Sequence, residues 1–307
     1  MKTNSKLILA GGSGQIGRAL LKYLKDDYDE IVVLTRGKEY KAENCLFVRW
    51  DGKTKGEWFT HLENADVLIN LTGKNVNCRY TEKNKKEIFD SRTNSIEILA
   101  AACRDCINPP KLWIQSASAT LYRHALDRPM DEFDHEVGSG FSVDVCKKWE
   151  GTFWEQTKDF PQMRKVVLRI SMVLSKDDGV YPRLKNLVRA GLGGKQGNGK
   201  QMVSWVHEAD VAGVIKWIST HEEKAGVYNC TSPEPVSNSQ FMLEMRKSLH
   251  SKIGLPSPKW LLEMGAILIG TETELVLKSR WVLPTRLGAE KYKFQFPKLD
   301  SALTSFR

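Results

Sequence analysis

The stretch Leu7-Ile8-Leu9-Ala10-Gly11-Gly12-Ser13-Gly14-Gln15-Ile16-Gly17 constrains the fold of this chain more than any other. An apolar run with no helical stripe enters a glycine-rich turn. The turn leads into Ile16, Ala19, Leu20, Tyr23 and Leu24, which fall at helical spacing. The pattern predicts a strand, a tight turn and a helix. Gly11 lets the strand turn, Gly14 removes a Cβ that would hold the backbone away from a pyrophosphate, and Gly17 lets the helix lie close on the strand. Gln15 and Ile16 then open a helix whose free N–H groups and dipole favour phosphate. Any strand and helix can be joined by a glycine turn, but here a second strand follows at 30–35, which makes the unit a dinucleotide-binding βαβ.

That second strand ends in Thr35-Arg36-Gly37-Lys38, the position at which such folds read the adenosine ribose. An acid there would accept hydrogen bonds from a 2′-hydroxyl and repel a 2′-phosphate, and none is present. Arg36 can instead form a charge-assisted contact to phosphate, which favours NADP over NAD; as a plain exposed loop arginine it would carry no such preference.

With 307 residues, 41% of them hydrophobic and 27% charged, the chain has ample material for a globular core. The net charge of +9 is spread among interleaved acids and bases, which suits anionic small molecules better than nucleic acid. No long apolar leader opens the sequence, and the apolar stretch at 260–270 is interrupted by Glu263 and too short to span a bilayer. Six scattered cysteines lack the density of a disulfide scaffold; Cys103 and Cys106 close a helix and read as packing. Neither Cys nor His clusters in a metal-ligand pattern. The expectation is a cytoplasmic monomer or homodimer that binds a small-molecule substrate, with no metal, nucleic acid or membrane partner.

Further strands at 45–50, 65–71, 111–117 and 165–170 alternate with helices at 81–106 and 141–157. Apolar strands separated by helices predict an α/β fold, a doubly wound parallel sheet of Rossmann-like type. Its strand ends at Gly11, Arg36, Asp51, Gly73 and Ser118 should converge on one crevice. After Val173 the pattern loosens into a helix at 181–190, a glycine-rich segment at 191–200, a helix at 207–219, a short strand at 226–229 and a helix capped by Ser237. The expected division is a dinucleotide-binding domain at 1–173 and a smaller C-terminal substrate-side lobe at 174–307, with elements near 200–230 returning to the first.

The glycine turn together with Asn70-Leu71-Thr72-Gly73, Ser116-Ala117-Ser118-Ala119-Thr120-Leu121-Tyr122 and Ser204-Trp205-Val206-His207-Glu208-Ala209-Asp210 resembles an extended short-chain dehydrogenase/reductase. Adding Cys146-Lys147-Lys148-Trp149-Glu150, Gly191-Leu192-Gly193-Gly194 and the tail Leu283-Pro284-Thr285-Arg286-Leu287, the chain is most similar to an atypical branch, the NAD-dependent epimerase/dehydratase family proteins with a distinct C-terminal domain. The resemblance implies a nicotinamide cofactor, usually NADP. It would place Asp51 at the adenine, Leu71, Thr72 and Gly73 along the cofactor, and Ser118 beside the nicotinamide.

The wider family carries Tyr-x-x-x-Lys on the helix after the fifth strand, where lysine lowers the phenol's pKa for proton transfer. Here Ser142 and Cys146 stand at those two positions, and neither replaces a phenol or an ammonium. Ser118 could orient a carbonyl or merely close a turn. Tyr122 could supply a phenol, with Lys147 or Lys148 as cation, or pack beneath the loop. His207 suits acid–base work but sits where the family pattern implies a structural residue. Two function classes follow: an NADP-dependent oxidoreductase or epimerase acting on a small polar substrate such as a nucleotide-linked sugar, or a non-catalytic NADP-binding sensor or scaffold.

Overall fold

The computed structural model describes residues 5–263 and 274–307; the apolar stretch at 260–270 lies partly outside them. The first half runs β1 (Lys6–Ala10), α1 (Gln15–Leu24), β2 (Glu30–Thr35), β3 (Tyr40–Ala42), β4 (Cys45–Arg49), β5 (Val67–Asn70), α2 (Glu82–Arg104), β6 (Leu112–Ser118), α3 (Phe141–Thr157) and β7 (Arg164–Ile170). The second half runs β8 (Met172–Leu174), α4 (Val180–Arg189), β9 (Met202–Val203), β10 (Trp205–His207), α5 (Glu208–Thr220), β11 (Gly226–Cys230), β12 (Val236–Ser237) and α6 (Asn238–Ser248). In the tail are α7 (Thr285–Ala289) and α8 (Leu299–Thr304).

Eight strands form one sheet in the order β11-β7-β6-β5-β1-β2-β4-β3, parallel except for β3. The fold is α/β with a doubly wound, Rossmann-like sheet. Alternation along the strands explains its two covered faces. Leu7, Leu9, Ile31, Val33 and Ile69 join a core with Leu20 and Leu24 of α1 and Val211, Ile215 and Ile218 of α5. Ile8, Ala10, Val32, Leu34 and Leu68 face Ile96, Leu99 and Cys103 of α2 and Trp149 and Phe153 of α3. Each large side chain so buried contributes about 1.5–3 kcal/mol. Both Cys103 and Cys106 are free thiols, raised above their ordinary pKa by burial.

Sequence periodicity does not reveal β3, because its three residues are all exposed. Pairing with β4 and the stacking of Tyr40 on Phe47, 4.1 Å between ring centroids, hold it in place.

The chain leaves the sheet after β7 and re-enters it as β11, paired with β7. Between and beyond lies a second core of Leu174, Tyr181, Leu184, Trp205, Phe241, Met245, Leu299 and Phe306. The tail also fastens onto the sheet. The Leu283 amide donates to the Met130 carbonyl at 2.9 Å, and the Glu132 carboxylate accepts from the amides of Asn229 at 2.9 Å and Arg286 at 3.3 Å. Arg286 donates to the carbonyls of Ala225 and Val227 at 3.1 and 2.6 Å and lies 3.9 Å over the Tyr228 ring, so it covers the β11 edge. Among the described residues no helix is long and apolar enough to cross a membrane.

Candidate functional site

The strand order reverses between β1 and β5, and the crevice outside that switch point is where ligands of such sheets bind. At its centre, Gly11 holds φ +76°, and a Cβ there would lie 3.0–3.1 Å from the backbone of Leu71 and Thr72. A Cβ on Gly17 would meet the Gly12 backbone at 2.3–2.5 Å, so this glycine lets α1 close on the turn itself rather than on the strand. A Cβ on Gly14 has only the Gly11 carbonyl within reach, at 3.3 Å. The first helical bond of α1 runs from the Arg18 amide to the Gly14 carbonyl, and no side chain caps the helix. The amides of Gln15, Ile16 and Gly17 therefore have no helical carbonyl to donate to. The Gln15 side chain lies against Gly179, where an added Cβ would fall 2.4 Å from its Nε2, next to the Arg18–Asp178 ion pair.

At the adenosine end, the Thr35 hydroxyl donates to Ser13 Oγ at 3.0 Å and accepts from the Gly37 amide at 3.1 Å, which ties the turn to the end of β2. Arg36 is exposed and lines a groove of about 410 Å³ with Arg49, Trp50, Asp51, Thr54, Gly56 and Trp58. Asp51 is the acid that lines the groove, and Glu39 beside it accepts from the Arg49 amide at 3.0 Å. The Asp51 carboxylate accepts from the amides of Lys53 and Thr54, each at 2.8 Å, and from the Thr54 hydroxyl at 2.7 Å. Burial pulls its pKa up, but these bonds outweigh burial and hold it below the ordinary carboxylate value. The side chain shapes its own loop.

Buried Asn70 organises the end of β5. Its Nδ2 donates to Ser95 Oγ at 3.2 Å and Gln115 Oε1 at 3.0 Å, while its Oδ1 accepts from the Thr72 amide at 3.0 Å. The Leu71 amide donates to the Ala10 carbonyl at 2.9 Å, and Thr72 Oγ1 is buried without a partner. A Cβ on Gly73 would lie 3.1 Å from the Arg92 guanidinium carbon, so only glycine admits that group here.

Ser118 Oγ accepts from the Thr120 amide at 3.2 Å at the end of β6, which leaves its hydroxyl hydrogen uncommitted by that bond. Tyr122 corrects the reading of a phenol open to the crevice. It is only 2% exposed, donates to Asn229 Oδ1 at 2.9 Å and accepts from Arg169 Nη1 at 2.8 Å; burial pushes its pKa up to about 12. Arg169 is itself clamped bidentately by Glu150 at 2.9 and 2.8 Å. The phenol belongs to a buried structural network, and Lys147 and Lys148 are exposed on α3. His207 is likewise structural. Its Nδ1 accepts from the Ala209 amide at 3.0 Å, so the neutral ring carries its proton on Nε2 and donates to Ser305 Oγ at 3.1 Å. Phe296 and Phe306 pack on the ring, and burial lowers its pKa to about 4.

Sequence reasoning missed the group that surrounds the vacant tyrosine position. Tyr80, from the loop after β5, places its hydroxyl 3.3 Å from Ser142 Oγ. One turn along α3, Cys146 is buried and its thiol is pushed up to about 12. Arg92 is 8% exposed; its Nη1 donates to the carbonyls of Ile88 at 2.9 Å and Lys74 at 3.2 Å, its guanidinium lies 4.7 Å over Trp149, and its Nε has no partner. Desolvation lowers its pKa to about 10. Nη1 of Arg280, from the tail, is also buried without a partner. Both guanidiniums lie within Coulombic reach of the Tyr80 phenol and the Cys146 thiol. Tyr80, Arg92, Ser142 and Arg280 come from four separate segments, and no spacing in the sequence announces their meeting.

Fold, glycine turn and switch point together define a Rossmann-type protein of the dinucleotide-binding class. The profile of the NAD dependent epimerase/dehydratase family matches residues 7–231, and that of a domain of unknown function, DUF1731, matches 257–306. The chain belongs to the NAD-dependent epimerase/dehydratase family. Epimerase family protein SDR39U1 of Mus musculus is 28% identical over 306 residues, 97% of this chain and 98% of that protein. An epimerase family protein of Staphylococcus saprophyticus is 28% identical over 300 residues, 96% of this chain and 97% of that one. The crystal structure of human SDR39U1 with NADPH matches at a TM-score of 0.86 and 27% identity, covering 98% of each chain.

Proposed function

We propose that the protein binds NADP(H) in this crevice and acts as an oxidoreductase or epimerase on a small polar substrate. The observation that carries the cofactor choice is Arg36, exposed at the end of β2 in a groove where Asp51 is occupied by its own loop and Glu39 by the Arg49 amide. The residues present fit such a cofactor. The uncapped start of α1 and the cradle left by Gly14 receive the pyrophosphate, Arg36 with Arg49 receives the 2′-phosphate, and the backbone at Leu71, Thr72 and Gly73 runs beside the rest. Human SDR39U1, solved with NADPH, supports the same reading. When bound, the nicotinamide supplies a ring that accepts or donates hydride.

In this reading Ser118 directs its hydroxyl hydrogen at a substrate oxygen, and Tyr80, beside Ser142, carries the proton that relatives move through a tyrosine on the helix itself. Arg36→Ala should weaken NADPH binding about tenfold to a hundredfold, the worth of one charged hydrogen bond, while NADH binding stays within about twofold. Titration calorimetry of both cofactors checks this; equal losses would remove Arg36 from cofactor selection. Finding NADPH bound but unoxidised against a broad metabolite extract would favour the sensor over the enzyme.

A further inference from the structure

Burying a guanidinium without a counter-charge is costly, because desolvation of the ion must be offset by attraction and hydrogen bonds nearby. Arg92 is offset only in part, by two backbone carbonyls and the face of Trp149, and among the described residues no carboxylate pairs with it. Among the described residues, the acid nearest Arg280 is Glu274, 4.0 Å from Nη2, and Glu274 is shared with Lys278 at 3.1 Å. Each arginine therefore retains an unmatched N–H, Nε on Arg92 and Nη1 on Arg280. Arg169, by contrast, directs its donors to Glu150 and Tyr122. Gly73 adds a second sign of purpose, since a side chain there would displace the Arg92 guanidinium. Both guanidiniums also act electrostatically on the Tyr80 phenol, at which the reading above places proton transfer.

We propose that Arg92 and Arg280 form a two-guanidinium anchor for a compact oxyanion, a carboxylate or phosphate, borne by the substrate close to its reacting carbon. The fork of each guanidinium matches two oxygens of such a group, and an anion would complete both orphaned donors at once. Within the proposed oxidoreductase or epimerase reading, on which this anchor rests for its role, the substrate class narrows to small carboxylated or phosphorylated compounds. The anchor orients the substrate against the Tyr80 hydroxyl. It also brings positive charge to a floor that lacks the family lysine.

The test uses the full-length protein saturated with NADPH, so that the cofactor's own phosphate sites are filled. Sodium malonate and inorganic phosphate are titrated separately by calorimetry at constant ionic strength, which distinguishes the two kinds of oxyanion. At least one should bind in the millimolar range or tighter. Arg92→Gln and Arg280→Gln should each weaken it about tenfold or more, Arg280→Lys should recover part of the loss, and NADPH affinity should stay within about threefold throughout. If Arg92→Gln does not fold, the two Arg280 variants decide alone. Indifference of the unmodified protein to both anions, or unchanged anion binding in the variants, overturns the anchor. So does a parallel loss of NADPH affinity, which would assign Arg92 to the cofactor. Should the protein not take up NADPH at all, the cofactor reading falls separately, and the same titrations without cofactor still decide: loss in Arg280→Gln supports the anchor, and no loss overturns it.

Discussion

The glycine turn and the floor formed around Ser142, at the start of α3, are built by opposite means. The turn works through main chain: Gly11, Gly14 and Gly17 act by what they lack, and the amides that follow are left to a ligand. The floor works through side chains: Tyr80 meets Ser142 from a distant segment, and Arg92 is held nearby at the cost of burying its charge. A site made of backbone tolerates change in everything except shape. A site made of side chains can draw its chemistry from different elements; here the phenol beside Ser142 comes from the loop after β5 rather than from α3.

The largest effect should come from filling the turn. Gly14→Val should lower affinity for either nicotinamide cofactor about a thousandfold or more while the circular dichroism spectrum and melting temperature change little, since only the Gly11 carbonyl crowds a Cβ there. Normal NADPH binding by this variant would move the cofactor off the turn and dissolve the comparison. At the floor, Tyr80→Phe should cost about a hundredfold or more in kcat/KM on whichever substrate is found, as expected for a general acid–base. Tyr122→Phe should leave kcat/KM within about threefold and instead cost about 1–3 kcal/mol in urea unfolding, because Asn229 and Arg169 lose a buried partner. The reverse pattern would return the chemistry to Tyr122.

The effect expected at His207 is on stability alone, because the comparison keeps this residue out of the chemistry. Its folded pKa of about 4 lies below the ordinary 6.5, so between those values the unfolded chain binds a proton that the native ring refuses. Stability is therefore retained above pH 6.5 and falls as the pH drops toward 4, by about 2–3 kcal/mol between pH 7 and 4.5. Urea titrations at the two pH values should show this slope in the natural protein and its flattening in His207→Asn, which keeps a side-chain acceptor for the Ala209 amide. An unchanged slope would mean that another group governs acid sensitivity.

The same contrast explains what the sequence made legible. Strands buried on both faces announce themselves as apolar runs, and the glycine turn carries its geometry in residue type, so the sheet and the shape of the turn could be read directly. The absence of a tyrosine at Ser142 was equally plain. The hydroxyl that faces Ser142 was not, because Tyr80 sits in a loop with no periodicity and meets Ser142 only through packing of that loop on α3. Tyr122 misled for a related reason: proximity to Ser118 in sequence says nothing about the direction of a side chain, and Arg169 and Asn229, from two later strands, draw its hydroxyl into the interior. Arg92 read as one more polar residue of a polar helix until the loop at Gly73 closed over it.

The clasp of the tail on the sheet sets an order of assembly. Thr285 bonds Asp131, 154 positions earlier, and Arg286 covers the outer carbonyls of β11. Contacts of such long separation form late, because loop closure must precede them. During synthesis the cofactor-side strands leave the ribosome long before their clasp exists, so a nascent chain halted short of residue 280 presents an open strand edge to its neighbours. A variant cut before Arg286 would leave the outer carbonyls of Ala225 and Val227 uncovered at the β11 edge.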